Sequence, residues 1–156
     1  MVNLHPMTET EFEAFKTFII EDYAQNIARN YLKPIEDARE GSAKQINAML
    51  KEGISTPNHY IYNVVPAGEE TILGYLWVEV NESKHSCFIC EIRLLEAHRG
   101  KGWGTKTLQT LEKMVKEKGV TSIGLHVFGD NPIARRLYEK IGYQVTGMNM
   151  QKWLED

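Results

Sequence analysis

Residues 88–111 read FICEIRLLEAHRGKGWGTKTLQTL. The part through Leu95 is apolar and strand-like, and from Thr105 onward Leu108, Leu111, Met114 and Val115 fall on one face of a helix. Between the two lies Arg99-Gly100-Lys101-Gly102-Trp103-Gly104, a glycine-rich turn from strand to helix. A turn of this kind presents unpaired backbone N–H groups at the positive end of a helix dipole, which suits a phosphate. The three glycines let the backbone approach a ligand with no Cβ in the way, and Arg99 and Lys101 add charge-assisted contacts. The spacing rejects two commoner phosphate loops. A Walker loop needs GxxxxGK with Ser or Thr next, and the dinucleotide fingerprint needs GxGxxG, whereas this run is GxGxG and follows hairpins.

On the N-terminal side, after a short start around Val2 to Pro6, Thr8 and Glu11 have capping-box spacing. Phe12, Phe15, Ile19, Tyr23 and Ile27 follow at helical intervals, so a helix is expected from about Glu9 to Arg29. Pro34 interrupts it, and Ile35 to Glu52 reads as one or two helical pieces broken near Gly41 and ended by Gly53. From His59 the pattern turns to strands: His59 to Val65, Thr71 to Val80 and Ser86 to Leu95, joined by Pro-Ala-Gly and polar turns as hairpins. Beyond the glycine run, the expected order is a helix Thr105 to Lys118 ended by Gly119, a strand Thr121 to Phe128, a helix Asn131 to Ile141 ended by Gly142, and one or two closing strands from Tyr143 to Trp153. The pattern predicts an α/β fold of the α+β kind, a central mixed sheet with helices on both faces, in a single domain spanning residues 1–156.

Hydrophobic residues make up 42% and charged residues 25%, the balance of an ordinary globular domain. No stretch approaches the ~20 apolar residues of a membrane span, and the start lacks a basic region followed by an apolar one, so a cytoplasmic protein with no membrane partner is expected. Residues 1–97 carry eight basic against fifteen acidic side chains, and residues 98–156 ten against six, within a net charge of −3. The basic half suits phosphates and the acidic half a cationic partner, although solvated faces produce the same imbalance. Nucleic acid is a poor fit, because the cations from Arg99 to Lys118 alternate with acids on an amphipathic helix and the pI is about 6.0. Cys87 and Cys90 have no second pair and no clustered histidines, so no metal site is expected and small apolar packing is their reading.

The stretch from Phe88 to Leu111 resembles the central motif of the GNAT superfamily of acyl-CoA N-acyltransferases: Arg or Gln, two residues, Gly, one residue, then Gly or Ala, here Arg99, Gly102 and Gly104. Downstream, Asn131, Ala134, Tyr138 and Gly142-Tyr143 resemble the family's second hallmark, Asn-x-x-Ala-x-x-x-Tyr followed by Gly-Phe or Gly-Tyr. The resemblance covers about residues 60–154. It implies an acetyl-CoA-dependent N-acetyltransferase that moves an acetyl group directly to a primary amine of a small molecule or peptide, as a monomer or homodimer. The alternative of the same fold is a non-catalytic acyl-CoA-binding sensor or interaction module.

By the same resemblance, a helical segment of about 8–53 shapes the acceptor side and a core of about 86–142 binds CoA. Arg99, Gly100, Lys101, Gly102, Trp103, Gly104 and Thr105 hold its pyrophosphate, and the backbone of Ile92, Arg93 and Leu94 pairs with the pantetheine arm between diverging parallel strands. No glycine marks the bulge usual in that strand. Asn131 contacts the pantetheine, the small Ala134 leaves room beside it, and Tyr138 is the general acid for the CoA sulfur, against the bland reading of a core tyrosine bonded to backbone. The oxyanion falls to a backbone N–H of Ile92 or Leu94.

For the base, alternation places Glu91 and Arg93 opposite Cys90, Ile92 and Leu94, and a half-buried Glu91 with a raised pKa relays a proton from an ammonium acceptor. A cross-strand ion pair or a solvated glutamate is the equal alternative. Glu79, which alternates with Tyr75 and Trp77, is the second choice. A Cys90 acyl-enzyme and a basic His126 are the weaker readings.

Overall fold

The computed structural model describes residues 1–155, and the chain forms two compact units that divide after His126. In the first unit the order is β1 (Val2–Pro6), α1 (Glu9–Tyr31), α2 (Ile35–Met49), a 3-10 turn (Gly53–Ser55), β2 (His59–Pro66), β3 (Gly74–Asn81) and β4 (Ser86–Leu94), then a second 3-10 turn (Glu96–His98), α3 (Trp103–Lys116) and β5 (Ser122–Leu125). The second unit holds α4 (Pro132–Lys140).

The five strands lie in chain order in one sheet, antiparallel from β1 to β4 and parallel between β4 and β5. The sheet is mixed, as expected. On one face Phe12, Phe15 and Ile19 of α1 and Ile46 of α2 close over Ile61 and Trp77. On the other, the stripe Leu108, Leu111 and Val115 buries α3, which packs against β1 and β4.

Local chemistry explains the element ends. Thr8 and Glu11 form the capping box: the Glu11 N–H donates to Thr8 Oγ1 at 3.2 Å and the Thr8 N–H to Glu11 Oε1 at 2.9 Å. The helix expected to break near Gly41 instead runs through it. A helical glycine costs about 1 kcal/mol, which is outweighed because Ala38, Ser42 and Ile46 bury one face and the Ser42 hydroxyl donates to the Ile20 carbonyl at 2.7 Å.

Two other expectations change. β5 stops at Leu125 instead of Phe128, because its pairing with β4 ends at Ile89–Leu125. Among the described residues beyond Gly142, none is in a strand. Their alternation, Tyr143 and Val145 and then Met148 and Met150, slips by one residue at Gly147.

Candidate active site

β4 changes character halfway along. Val78 pairs with Ile89 but Trp77 pairs with Glu91, so Cys90 is an extra residue, a β-bulge made without glycine. Both residues of such a bulge oppose the same partner. Cys90 therefore packs against the α1–α2 core beside Trp77, on the same face as Glu91, and the expected placement of Cys90 opposite Glu91 is corrected. Ile92 and Leu94 do lie on the other face, across from Leu76 and Gly74. The bulge falls where β5 pairing ends, so among the described residues the strand from Cys90 to Leu94 pairs with β3 alone and its other edge has no strand partner.

Two contacts hold this half of the strand, the first of them from the β3 side. Gly74 sits so close to it that a Cβ would meet the Arg93 carbonyl oxygen at 2.0 Å and the Leu94 Cα at 2.8 Å, so only glycine fits. The Arg99 Nε donates to the Leu94 carbonyl at 2.9 Å, tying the start of the glycine turn to the end of the strand.

The turn then enters α3 with Gly100 at φ 74° and Gly102, the N-cap, at φ 84°, a left-handed region that favours glycine. The space around both is open, and no side chain caps the helix. The first-turn amides of Trp103, Gly104 and Thr105 are left for an external acceptor. Lys106 stacks its ammonium 4.7 Å from the Trp103 ring centroid, while Lys101 stands exposed. A cradle of this form fits a pyrophosphate.

On the helix-covered face, Glu91 lies opposite Trp77 and Arg93 opposite Tyr75. Burial, reinforced by the negative charge of Asp22 and opposed by Arg93, pushes the Glu91 carboxyl up to about 7. Asp22 on α1 pairs with Arg93 Nη1 at 3.2 Å, and the guanidinium lies 4.8 Å from the Phe18 ring centroid. One strand over, Trp77 Nε1 donates to His59 Nδ1 at 3.0 Å, and His59 Nε2 lies 3.3 Å from Glu79 Oε2, so Glu79 is tied into a side-chain chain. Burial pushes the Cys90 thiol up to about 12 and Cys87 up to about 11, which favours the protonated form of both at neutral pH.

Sequence reading missed Gly74, Asp22 and the bulge. The alternation of β4 carried no sign of an inserted residue, and Asp22 meets Arg93 only through the α1–sheet packing. A cleft of about 330 Å³ opens between α1 and the ends of β2, β3 and β4.

In the second unit, Asn131 caps α4: its Oδ1 accepts from the Ala134 N–H at 3.2 Å. Ala134 and Tyr138 are the half-buried positions of that helix, with Arg135, Arg136 and Leu137 exposed between them, so the expected shared face is present. The Tyr138 ring meets Tyr143 edge-on at 5.7 Å, and the Tyr143 N–H donates to the Tyr138 carbonyl at 2.9 Å, which closes the helix.

The sequence model of the acetyltransferase (GNAT) family matches residues 20–143. This chain belongs to that family. Two Bacillus subtilis GNAT relatives, the uncharacterised N-acetyltransferases YdgE and YycN, are 35% and 32% identical to it over 153 and 155 residues. The matches cover 97% of this chain and 97% of YdgE, and 98% of this chain and 99% of YycN. The crystal structure of YycN, a putative acetyltransferase, superposes with a TM-score of 0.94 at 31% identity over the whole of both chains. A spermidine N-acetyltransferase from Vibrio cholerae, solved with CoA and spermine, shares the GNAT fold: TM-score 0.67, 17% identity, 99% of this chain and 88% of that one.

Proposed function

We propose that this protein transfers an acetyl group from acetyl-CoA directly to a primary amine of a small molecule or peptide, in one complex and without an acyl-enzyme. The observation that carries the reading is the junction of an unpaired β4 edge with an uncapped, glycine-lined α3 N-terminus, on a chain of the GNAT family. The turn from Arg99 to Thr105 takes the pyrophosphate, and the backbone of Ile92, Arg93 and Leu94 takes the pantetheine arm.

Acetyl-CoA supplies the activated thioester. Glu91, with its raised pKa, accepts a proton from the acceptor ammonium, and the freed nitrogen forms the new C–N bond as the C–S bond breaks. Tyr138, the tyrosine of the family's second motif, donates a proton to the leaving thiolate, and the second proton that the nitrogen sheds as the amide forms returns through water to the Tyr138 phenolate. Asn131 and Ala134 border the pantetheine. The protonated Cys90 and Cys87 leave direct transfer as the simplest route.

Thermal denaturation with acetyl-CoA tests the reading. Saturating ligand is expected to raise the Tm by several degrees, and Gly102→Glu, which sets a charge and a strained side chain at φ 84°, is expected to abolish the rise. Tyr138→Phe keeps the rise but slows thiol release with any accepted amine. A wild-type protein whose Tm ignores acetyl-CoA and other acyl-CoAs overturns the proposal.

A further inference from the structure

A cleft lies beside the end of β4, on the face that α1 covers. Phe15, Phe18, Ile72, Tyr75 and Leu95 give it apolar walls, and three polar side chains, Glu11, Asn63 and Arg93, reach its lining. At about 330 Å³ it lies at the small end of the range for ligand pockets and has room for one sizeable apolar group.

Two of the three polar groups are already engaged with each other: Asn63 Nδ2 donates to Glu11 Oε2 at 3.0 Å, and the N-cap hydrogen bonds with Thr8, backbone first, hold the Glu11 carboxyl below its ordinary range. Arg93 is different. Asp22 takes Nη1, one of its three nitrogens, and the Phe18 ring lies beneath it, so the guanidinium is held in place with hydrogen-bonding capacity to spare.

Arg93 also stands in a fixed relation to the proposed base. Glu91 and Arg93 project from the same face of β4 two residues apart, about 7 Å along the strand. A ligand that meets both within the reach of their side chains carries an amine and a hydrogen-bond acceptor on neighbouring atoms. An α-amino-acid unit does this: its amine goes to Glu91, its carboxylate or carbonyl to Arg93, and its third substituent into the apolar cleft. Resting on the acetyl-transfer reading above, we infer that the acceptor is the α-amine of an amino acid or peptide N-terminus with an apolar side chain. The ionised Glu11 at the cleft disfavours acidic side chains by like-charge repulsion.

Steady-state acetylation with acetyl-CoA tests this on leucine amide, free leucine, leucyl-glycine, aspartate α-amide, glycine amide and 3-methylbutylamine, which is leucine without its carboxyl group. At least one leucine compound is expected to exceed 3-methylbutylamine in kcat/KM by about tenfold to a hundredfold, the worth of one charge-assisted hydrogen bond. Leucine amide is expected to exceed aspartate α-amide by a similar factor. Whether free leucine or leucyl-glycine ranks higher tells the free amino acid from the peptide source.

Arg93→Met is expected to bring the leucine to 3-methylbutylamine ratio below about threefold. Arg93→Lys, which keeps the charge but loses the fork, gives an intermediate ratio should the methionine variant fail to fold. Ala14→Trp, which fills the cleft from α1, is expected to lower leucine amide relative to glycine amide by about tenfold.

A wild-type enzyme that acetylates 3-methylbutylamine as well as every leucine compound overturns the inference, as does a ratio that survives loss of the guanidinium. Transfer to none of these amines while acetyl-CoA still raises the Tm overturns it too and leaves the donor site standing. Absence of that rise is the separate failure of the acetyl-transfer reading itself.

Discussion

The two halves of β4 belong to one strand and behave differently. From Ser86 to Ile89 the strand pairs on both edges, with Cys87 and Ile89 buried and Phe88 exposed between them, an ordinary interior strand. From Cys90 to Leu94 it pairs on one edge only, and every residue is half-buried. One inserted residue at the junction makes the difference. The bulge ends the parallel pairing, frees backbone polar groups for a ligand and sets Glu91 against Trp77, among apolar neighbours that raise its pKa. The first half is paired on both edges, and the second gives up part of its pairing where the proposed site lies.

The sharpest way to break this contrast is Glu91→Gln, which should lower kcat by about 10²–10⁴-fold, the usual worth of general acid–base catalysis. In the unfolded chain the carboxyl ionises near 4.5 and in the fold near 7, so its ionisation favours unfolding. The stability cost is absent below pH 4.5, grows as pH rises and is complete above pH 7. The glutamine variant should therefore be more stable than the wild type by about 3 kcal/mol at pH 8, with no gain at pH 4. Wild-type kcat/KM should rise with pH through an apparent pKa near 7. Urea melts at the two pH values and a rate profile check both; equal stabilities at pH 8 would show that Glu91 is not held against its ordinary ionisation.

Gly74→Ala should have the next largest effect. Its methyl group meets the Arg93 carbonyl, so β4 has to shift at its functional end. A loss of about 2–4 kcal/mol is expected, along with a smaller acetyl-CoA-induced rise in Tm, read by the same melts with and without ligand. A variant as stable and as responsive as the wild type would mean that this end of β4 is not held by its contact with β3.

The smallest effect belongs to the bulge residue's own side chain. Cys90→Ala should cost about 1 kcal/mol of packing and change kcat by less than about twofold, because a thiol with a pKa of about 12 takes no part at neutral pH. A tenfold loss of rate would return Cys90 to the chemistry.

Most of the element order is legible in the chain, because it follows from local periodicity and punctuation. The Thr8–Glu11 capping box, the stripe of α3 and the glycine turn are each contained within a few consecutive residues, and each forms where its spacing says. The expectations that changed depended on distant partners. Gly41 stays helical because Ser42 meets Ile20 across the α1–α2 interface. β5 is short because β4 leaves it after Ile89.

The sequence alone determined the family motif, the glycine turn of Arg99–Gly104, and Glu91 and Arg93 as neighbours on one face, since these depend on residue type and short-range geometry. Only the tertiary structure decided that Cys90 is the bulge, that Gly74 closes on Arg93, and that Asp22 and burial move the Glu91 pKa toward neutrality. Strand register and desolvation are set by which segments meet across the sheet, and no local pattern encodes them.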